Sequence, residues 1–332
     1  MKTLLSYNHS AATAFASLRR NFLSIAITLS LAILLSAGNA PAQTTFRTFP
    51  IRGGSQPLRS RKGLMETSGS HWPTVSKVAR ITPRGKISYF RTPSLSNPAF
   101  ITVGPDGNMW FGEGSTGKIA SVTSAGDVIE KQFSFFGVSV GITTGPDDNI
   151  WFTDQTDHAV WRYELATDTF TRFKTPTPNS YPGDITTGAD GNMWFTEQAV
   201  GKFARITPSG VITEFTGVDS PGMIAAGPDG NIWISGAFVP QIARVTPSLE
   251  ITIFRRRLHP SIIRPGNDNN LLFTEFSASK IASITTDGVV TESEEFVHSF
   301  PERNCRRARE PGLVPRLWDE SRLHDVCALR AR

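Results

Sequence analysis

Short apolar or alternating segments, separated by clusters of Gly, Pro, Asp and Asn, fill the chain from Ser76 to Phe296. One ten-residue pattern recurs within them. Its copies are Gly104-Pro-Asp-Gly-Asn-Met-Trp-Phe-Gly-Glu113, Gly145-Pro-Asp-Asp-Asn-Ile-Trp-Phe-Thr-Asp154, Gly188-Ala-Asp-Gly-Asn-Met-Trp-Phe-Thr-Glu197, Gly227-Pro-Asp-Gly-Asn-Ile-Trp-Ile-Ser-Gly236 and Gly266-Asn-Asp-Asn-Asn-Leu-Leu-Phe-Thr-Glu275. Pro presets φ and Gly or Asn accepts positive φ, so the first half of each copy predicts a tight turn. The apolar-Trp-Phe segment after it predicts a β-strand with a large buried aromatic. A second strand follows in Lys118-Ile-Ala-Ser-Val122, Lys202-Phe-Ala-Arg-Ile206, Gln241-Ile-Ala-Arg-Val245 and Lys280-Ile-Ala-Ser-Ile284, where polar and apolar positions alternate as on a half-buried strand. A turn such as Thr207-Pro-Ser-Gly210 leads to a third strand, Val211-Ile-Thr-Glu-Phe215. A Pro-containing approach such as Ser220-Pro-Gly-Met-Ile224 leads to a fourth.

The key positions Trp110, Trp151, Trp194, Trp233 and Leu272 are 41, 43, 39 and 39 residues apart. Four strands in each repeat of that size predict an all-β fold, a β-propeller of four-stranded blades. Length allows about seven blades. Five are clearly readable, and the first and last are degenerate: the spacing places their key positions near residues 69 and 313, where no motif is written. One permitted codon set for Leu64–Ser70, read two nucleotides later, spells Asp-Gly-Asn-Leu-Trp-Phe. Leu313-Val314-Pro315 can spell Trp-Phe one nucleotide later. A frameshift damaging both end blades is one expectation and divergence of terminal repeats is the other. Residues 53–74 and 301–332 are expected to pack poorly or to lie outside the blades.

The chain of 332 residues is long enough to bury a sizeable core. Charged residues make up only 19%, and Gly, Phe and Trp are plentiful, which excludes a disordered chain or a coiled coil. Cys305 and Cys327 are too few for a disulfide framework or a Cys-rich zinc site. Lys2, Arg19 and Arg20 precede an apolar run from Phe22 to Ala37 and a small-x-small site, Ala40-Pro41-Ala42. This layout predicts a signal peptide over 1–42 cleaved near Ala42, and hence export to a periplasmic or extracellular place with no membrane attachment afterwards. Sec and twin-arginine export both stay open, because Arg19-Arg20-Asn21-Phe22-Leu23 resembles a twin-arginine signal. The expected organisation is a leader over 1–42, a propeller over 43–300 and an Arg-rich tail over 301–332. From Ile81 to Phe300 there are 16 basic and 23 acidic residues. The high overall isoelectric point therefore does not point to nucleic acid.

The repeats resemble those of the virginiamycin B lyase family, the streptogramin lyases, over roughly Ser76 to Phe296. The signature is Gly-Pro-Asp-Gly-Asn-x-Trp-Phe-Thr-Glu followed by Lys-Ile-Ala-Arg-Ile. The resemblance implies a seven-bladed propeller, a Mg2+ cofactor, and an elimination that opens the ester of a cyclic depsipeptide. It also implies a catalytic blade, the last one, written Glu-x-His-Gly-Ile, with the His 11 residues before the Trp and a metal-binding Glu three residues after it. The position 11 before the key residue is Ala99, Val140, Gly183, Gly222 or Ser261 here, and the position two earlier is Asn97, Val138, Tyr181, Ser220 or His259. The family's Glu-x-His pair is therefore absent from the five readable blades. In the tail the base position would fall near Glu302.

The acid three after the key residue does recur, as Glu113, Asp154, Glu197 and Glu275. Equivalent positions converge around a propeller axis, so these four are the candidate metal ligands. The other reading pairs each with a lysine, Lys118, Lys202 or Lys280. His259, beside Pro260 in a loop entering a blade, is the candidate ligand-binding residue. His158 is expected to be solvated. Arg255-Arg256-Arg257 reads as a strand edge or an anion site. Three functions remain in view: an exported virginiamycin B lyase-like propeller, a non-catalytic propeller, and a lactonase-type metal hydrolase. The protein is expected to be a monomer, with a small-molecule or peptide ligand on its axial face.

Overall fold

The computed structural model describes Ser60–Arg61, Leu64–Thr67 and residues 76–292, except 83, 85, 95, 136, 258, 267 and 276–279. Among the described residues twenty-four strands form six four-stranded antiparallel sheets in chain order. Blade 1 is β1 (Ser60–Arg61), β2 (Leu64–Thr67), β3 (Lys77–Ile81) and β4 (Ile87–Arg91). Blade 2 is β5 (Pro98–Val103), β6 (Met109–Glu113), β7 (Lys118–Val122) and β8 (Val128–Gln132). Blade 3 is β9 (Ser139–Thr144), β10 (Ile150–Asp154), β11 (Ala159–Glu164) and β12 (Thr169–Lys174). Blade 4 is β13 (Pro182–Thr187), β14 (Met193–Glu197), β15 (Lys202–Ile206) and β16 (Ile212–Phe215). Blade 5 is β17 (Pro221–Ala226), β18 (Ile232–Gly236), β19 (Gln241–Val245) and β20 (Ile251–Arg255). Blade 6 is β21 (Pro260–Pro265), β22 (Leu271–Glu275), β23 (Lys280–Ile284) and β24 (Val290–Glu292).

The first strands of successive blades pack against one another and so line the axis. This is a β-propeller, as the repeat predicts. The leader and the Arg-rich tail, with the expected seventh blade, lie outside the described residues. Among the described residues no helix is long and apolar enough to cross a membrane.

The first blade differs from the spacing argument. Met65 stands opposite Ala79, as Phe111 and Phe195 stand opposite Ala120 and Ala204. Leu64 thus takes the register position of the tryptophan, five residues before the expected place. The reason is pattern: Leu-Met-Glu-Thr repeats the apolar-apolar-polar-polar order of Trp-Phe-Thr-Glu, whereas the residues around 69 offer no apolar pair. The expectation for 53–74 is poor packing or a place outside the blades, and Ser60–Arg61 and Leu64–Thr67 are strands of blade 1.

Each motif residue has a structural task. The indole Nε1 of Trp110, Trp151, Trp194 and Trp233 donates to Asp106, Asp147, Asp190 and Asp229, at 3.0, 2.9, 3.1 and 3.0 Å. The same Asp accepts from the Asn two residues on, closing the turn. The buried indole is thereby satisfied where its polar edge meets the turn. The leading Gly is required by close approach: a Cβ on Gly188 would stand 2.8 Å from Trp194 Cδ1. Gly188→Ala is expected to destabilise the chain by about 1–3 kcal/mol through overpacking, read from the urea midpoint.

The Thr or Ser after the aromatic pair fills a bulge. Every first strand of blades 2–6 shifts register against its second strand near its start. Thr153, Ser235 and Thr274 accept the N–H groups of Gly141, Met223 and Ile262 freed by that shift. Thr196 instead donates to the carbonyl of Gly222 in the next blade, at 2.9 Å. The apolar core lies in the seams: Trp194 and Phe203 meet Ile224, Ile232 and Ile234 of blade 5, and Trp233 and Ile242 meet Ile263, Leu271 and Phe273 of blade 6.

Candidate functional site

Antiparallel order puts the loops between second and third strands on the same rim as the linkers between blades. The Pro-Asp-Gly-Asn turns occupy the opposite rim. Glu113, Asp154, Glu197 and Glu275 each end a second strand at the linker rim, and all four are buried. They do not converge on the axis as equivalent positions on a first strand would. Each sits one strand out, closed inside its own blade seam. Among the described residues no three of His, Cys, Asp and Glu stand together as a metal site.

The lysine pairing is corrected for Lys118 and Lys202, while the side chain of Lys280 lies outside the description. Lys118 Nζ binds Glu130 at 2.7 Å, and Lys202 Nζ binds Glu214 at 2.7 Å. Ser94 and Thr177, on the linkers from blades 1 and 3, clamp those same carboxylates through backbone N–H and hydroxyl. Each lysine also donates to that hydroxyl. Glu113 and Glu197 are left behind these clamps. Neither carboxylate makes a well-formed hydrogen bond, although the Ser96 and Ser180 hydroxyls lie close enough to favour charge on them. Burial pushes both carboxyls up to about 7, and the neighbouring Glu130 and Glu214 add to the rise.

Asp154 is different. It accepts the N–H groups of Val138, Thr156 and Asp157, at 3.1, 3.0 and 3.4 Å, and so caps its loop. Burial raises its pKa against those donors. Glu275 lies opposite Pro260 in register, so the exposed His259 and Glu275 share the rim end of blade 6. A hard divalent ion needs several oxygen ligands. Glu113 and Glu197 each offer a single carboxylate beside a Lys–Glu pair, so the described residues do not fit Mg2+.

The rim carries other exposed groups. Phe135, Tyr181 and Phe238 are large apolar residues open to solvent on linkers or second-to-third loops. His158 is half-buried rather than solvated: its ring meets Tyr181 with centroids 4.8 Å apart, and both residues hold φ near +50°. Positive φ on such bulky residues is strained backbone of the kind found near ligand sites. Arg255 ends β20, and the Arg256 N–H bonds the Pro240 carbonyl, which fits a strand edge.

The axis holds a bridge that has no sequence signal. Asp184, on β13, is 1% exposed. It accepts Arg264 Nη1 and Nη2 of β21 at 3.1 and 3.2 Å, and the Ile224 N–H of β17 at 3.2 Å. Arg264 also donates to the Ile224 carbonyl at 3.0 Å. One ion pair thus joins the inner strands of three blades.

The positions 11 before the key residues fall at the start of the first strands, on this rim, as Ala99, Val140, Gly183, Gly222 and Ser261. A sequence model of the virginiamycin B lyase family matches residues 64–220, beginning at the first residue of β2. The chain is a β-propeller similar to the virginiamycin B lyases. A solved structure of a catalytically inactive virginiamycin B lyase variant from Staphylococcus aureus with quinupristin is similar at 29% identity and a TM-score of 0.69, over 75% of this chain and 88% of that one. A streptogramin B lyase structure is similar at 25% identity and a TM-score of 0.69, over 77% and 88%. The extracellular domain of a hybrid two-component system from B. thetaiotaomicron shares the fold at 14% identity and a TM-score of 0.58, over 76% of this chain and 39% of that chain. No curated protein sequence matches the chain.

Proposed function

We propose that this virginiamycin B lyase-like propeller is exported and binds a small-molecule or peptide ligand on its linker rim without opening it. The observation that carries this reading is the rim itself. The positions equivalent to the family's base hold Ala99, Val140, Gly183, Gly222 and Ser261 in the described blades, spacing puts the last blade's near Glu302, and Phe135, Tyr181, Phe238 and His259 stand exposed on the same rim. Aromatic faces contribute binding area with little ordering cost, but a ring-opening elimination needs a proton acceptor within hydrogen-bond reach. Mg2+ enters only through the family relation, and no chemical step is assigned to it.

The full chain incubated with quinupristin, with and without magnesium, tests this. Binding is expected by calorimetry, with no ring-opened product by chromatography and mass spectrometry. An open-chain isomer of unchanged mass would establish the family's elimination and overturn the non-catalytic reading. Metal-dependent product heavier by one water would favour the lactonase-type reading. His259→Ala is expected to weaken binding severalfold while leaving the urea midpoint unchanged, since the side chain is exposed.

A further inference from the structure

The six blades are not equivalent, and their differences alternate. The αL residue of the turn between third and fourth strands is Gly126 in blade 2, Asp168 in blade 3, Gly210 in blade 4, Leu249 in blade 5 and Gly288 in blade 6. Each of those three glycines receives an aromatic ring from the blade before it. A Cβ on Gly126, Gly210 or Gly288 would overlap Phe90, Phe173 or Phe254. Over each of those rings lies an arginine of the same odd blade: Arg80, Arg162 and Arg244, at 5.2, 5.8 and 5.8 Å. Each arginine then donates across the seam to a carbonyl of the same turn, Ser124, Pro208 or Thr286, at 2.8, 3.0 and 2.7 Å. The seams from blade 1 to 2, 3 to 4 and 5 to 6 therefore share one fastening of ring, glycine and arginine. The Ser94 and Thr177 clamps reinforce the first two.

The intervening seams lack it. From blade 2 to 3 the ring is replaced by Lys131, which pairs with Asp168 at 2.7 Å and lies over Tyr163, and the seam is filled instead by Phe133 against Phe152 and Trp161. From blade 4 to 5 the ring is Phe215 and the turn holds Leu249. Arg205 lies over Phe215 but reaches only Asp190 of its own blade, at 3.8 Å. A groove of about 410 Å3 opens there, lined by Lys202, Glu214, Phe215, Thr216, Leu249 and Ile251. Inside the groove this same seam is held by the cluster of Trp194, Phe203, Ile224, Ile232 and Ile234, on which Phe215 and Ile251 pack, and at the axis by Asp184, which accepts from Ile224 of blade 5 and Arg264 of blade 6.

We propose that the propeller is built and moves as two-blade bodies, blades 1–2, 3–4 and 5–6, and that the outer edge of the seam between blades 4 and 5 is where it opens, hinged on the axial ion pair. Local opening is drawn from the least fastened parts of a fold. Flexing at this seam moves the Tyr181 and Phe238 loops relative to each other, because they belong to different bodies.

Hydrogen exchange on the full chain, read as sequence-corrected protection, tests this. β16 is expected to exchange at least about tenfold faster than β12, although both are fourth strands of neighbouring blades. Arg162→Gln removes one fastening and is expected to bring β12 to the β16 rate while leaving β16 unchanged. Arg244→Gln does the same for β20, and serves if the first variant does not fold. Equal protection of β12 and β16 in the unaltered chain, or a variant that speeds both strands alike, would overturn the two-blade description.

Discussion

Asp184→Ala lowers the stability of the folded chain by about 3–5 kcal/mol, measured by urea unfolding. The size follows from what is left behind. Arg264 loses the carboxylate that both its terminal nitrogens address, and the Ile224 N–H loses its acceptor in a buried place. Arg264 is 22% exposed, so part of its charge can turn to water, and the lower end of the range applies if it does. Asp184→Ala combined with Arg264→Met is expected to recover most of the loss, because a pair removed together leaves no orphaned charge. A double variant as unstable as the sum of its parts would show that the two residues act separately.

Glu113→Gln with Glu197→Gln raises stability at pH 8 and flattens its dependence on pH between 4.5 and 7. Both carboxyls are pushed from 4.5 to about 7, first by burial and then by Glu130 and Glu214, against the pull of Lys118, Lys202 and the two serines. A folded-state pKa above the unfolded one means that the folded chain holds the extra proton. The stability tied to that proton is fully present below pH 4.5 and is lost as pH rises through about 7. The loss amounts to about 1–3 kcal/mol for each residue, since a shift of one unit is worth about 1.4 kcal/mol and solvent screening reduces the full value. Glu130 and Glu214 run the other way. Their pKa values are lowered by Lys118 and Lys202 and by the Ser94 and Thr177 clamps, in spite of burial, so their contribution disappears as pH falls below 4.5. Thermal midpoints of the two proteins across this range, converging toward acid and separating toward pH 8, are the expected result. Parallel curves would mean that the buried carboxylates are already charged near pH 5.

Much of the fold was legible because the motif residues are locally determined. A Pro-Asp-Gly-Asn turn, an indole four residues after its Asp and an alternating strand beyond it are short-range chemistry, and each blade repeats them. The first blade was misplaced by five residues because spacing was used where the apolar order Leu64-Met65 was the better guide. The acids were found but their surroundings were not. Lys118 and Lys202 lie five residues beyond Glu113 and Glu197, yet they bind Glu130 and Glu214, which come from further along the chain and fold back beside them. The Asp184–Arg264 bridge was invisible because its partners are two blades apart and only closing the inner strands around the axis brings them together. The alternation of seams was also missed: it resides in single residues that differ between otherwise similar repeats.

Trp110, Trp151, Trp194 and Trp233 each sit buried at the same place in blades 2 to 5, whereas blade 6 has Leu272 there. Blades 2 to 5 therefore each carry their own built-in fluorophore, and β21 to β24 carry none. A chain that frays from the blade 6 end would expose Trp233, which packs against Ile263, Leu271 and Phe273, and leave Trp110, Trp151 and Trp194 in their seams. Loss of the Trp233 contribution ahead of the other three buried indoles is therefore itself a gauge of how independently the last described blade comes away.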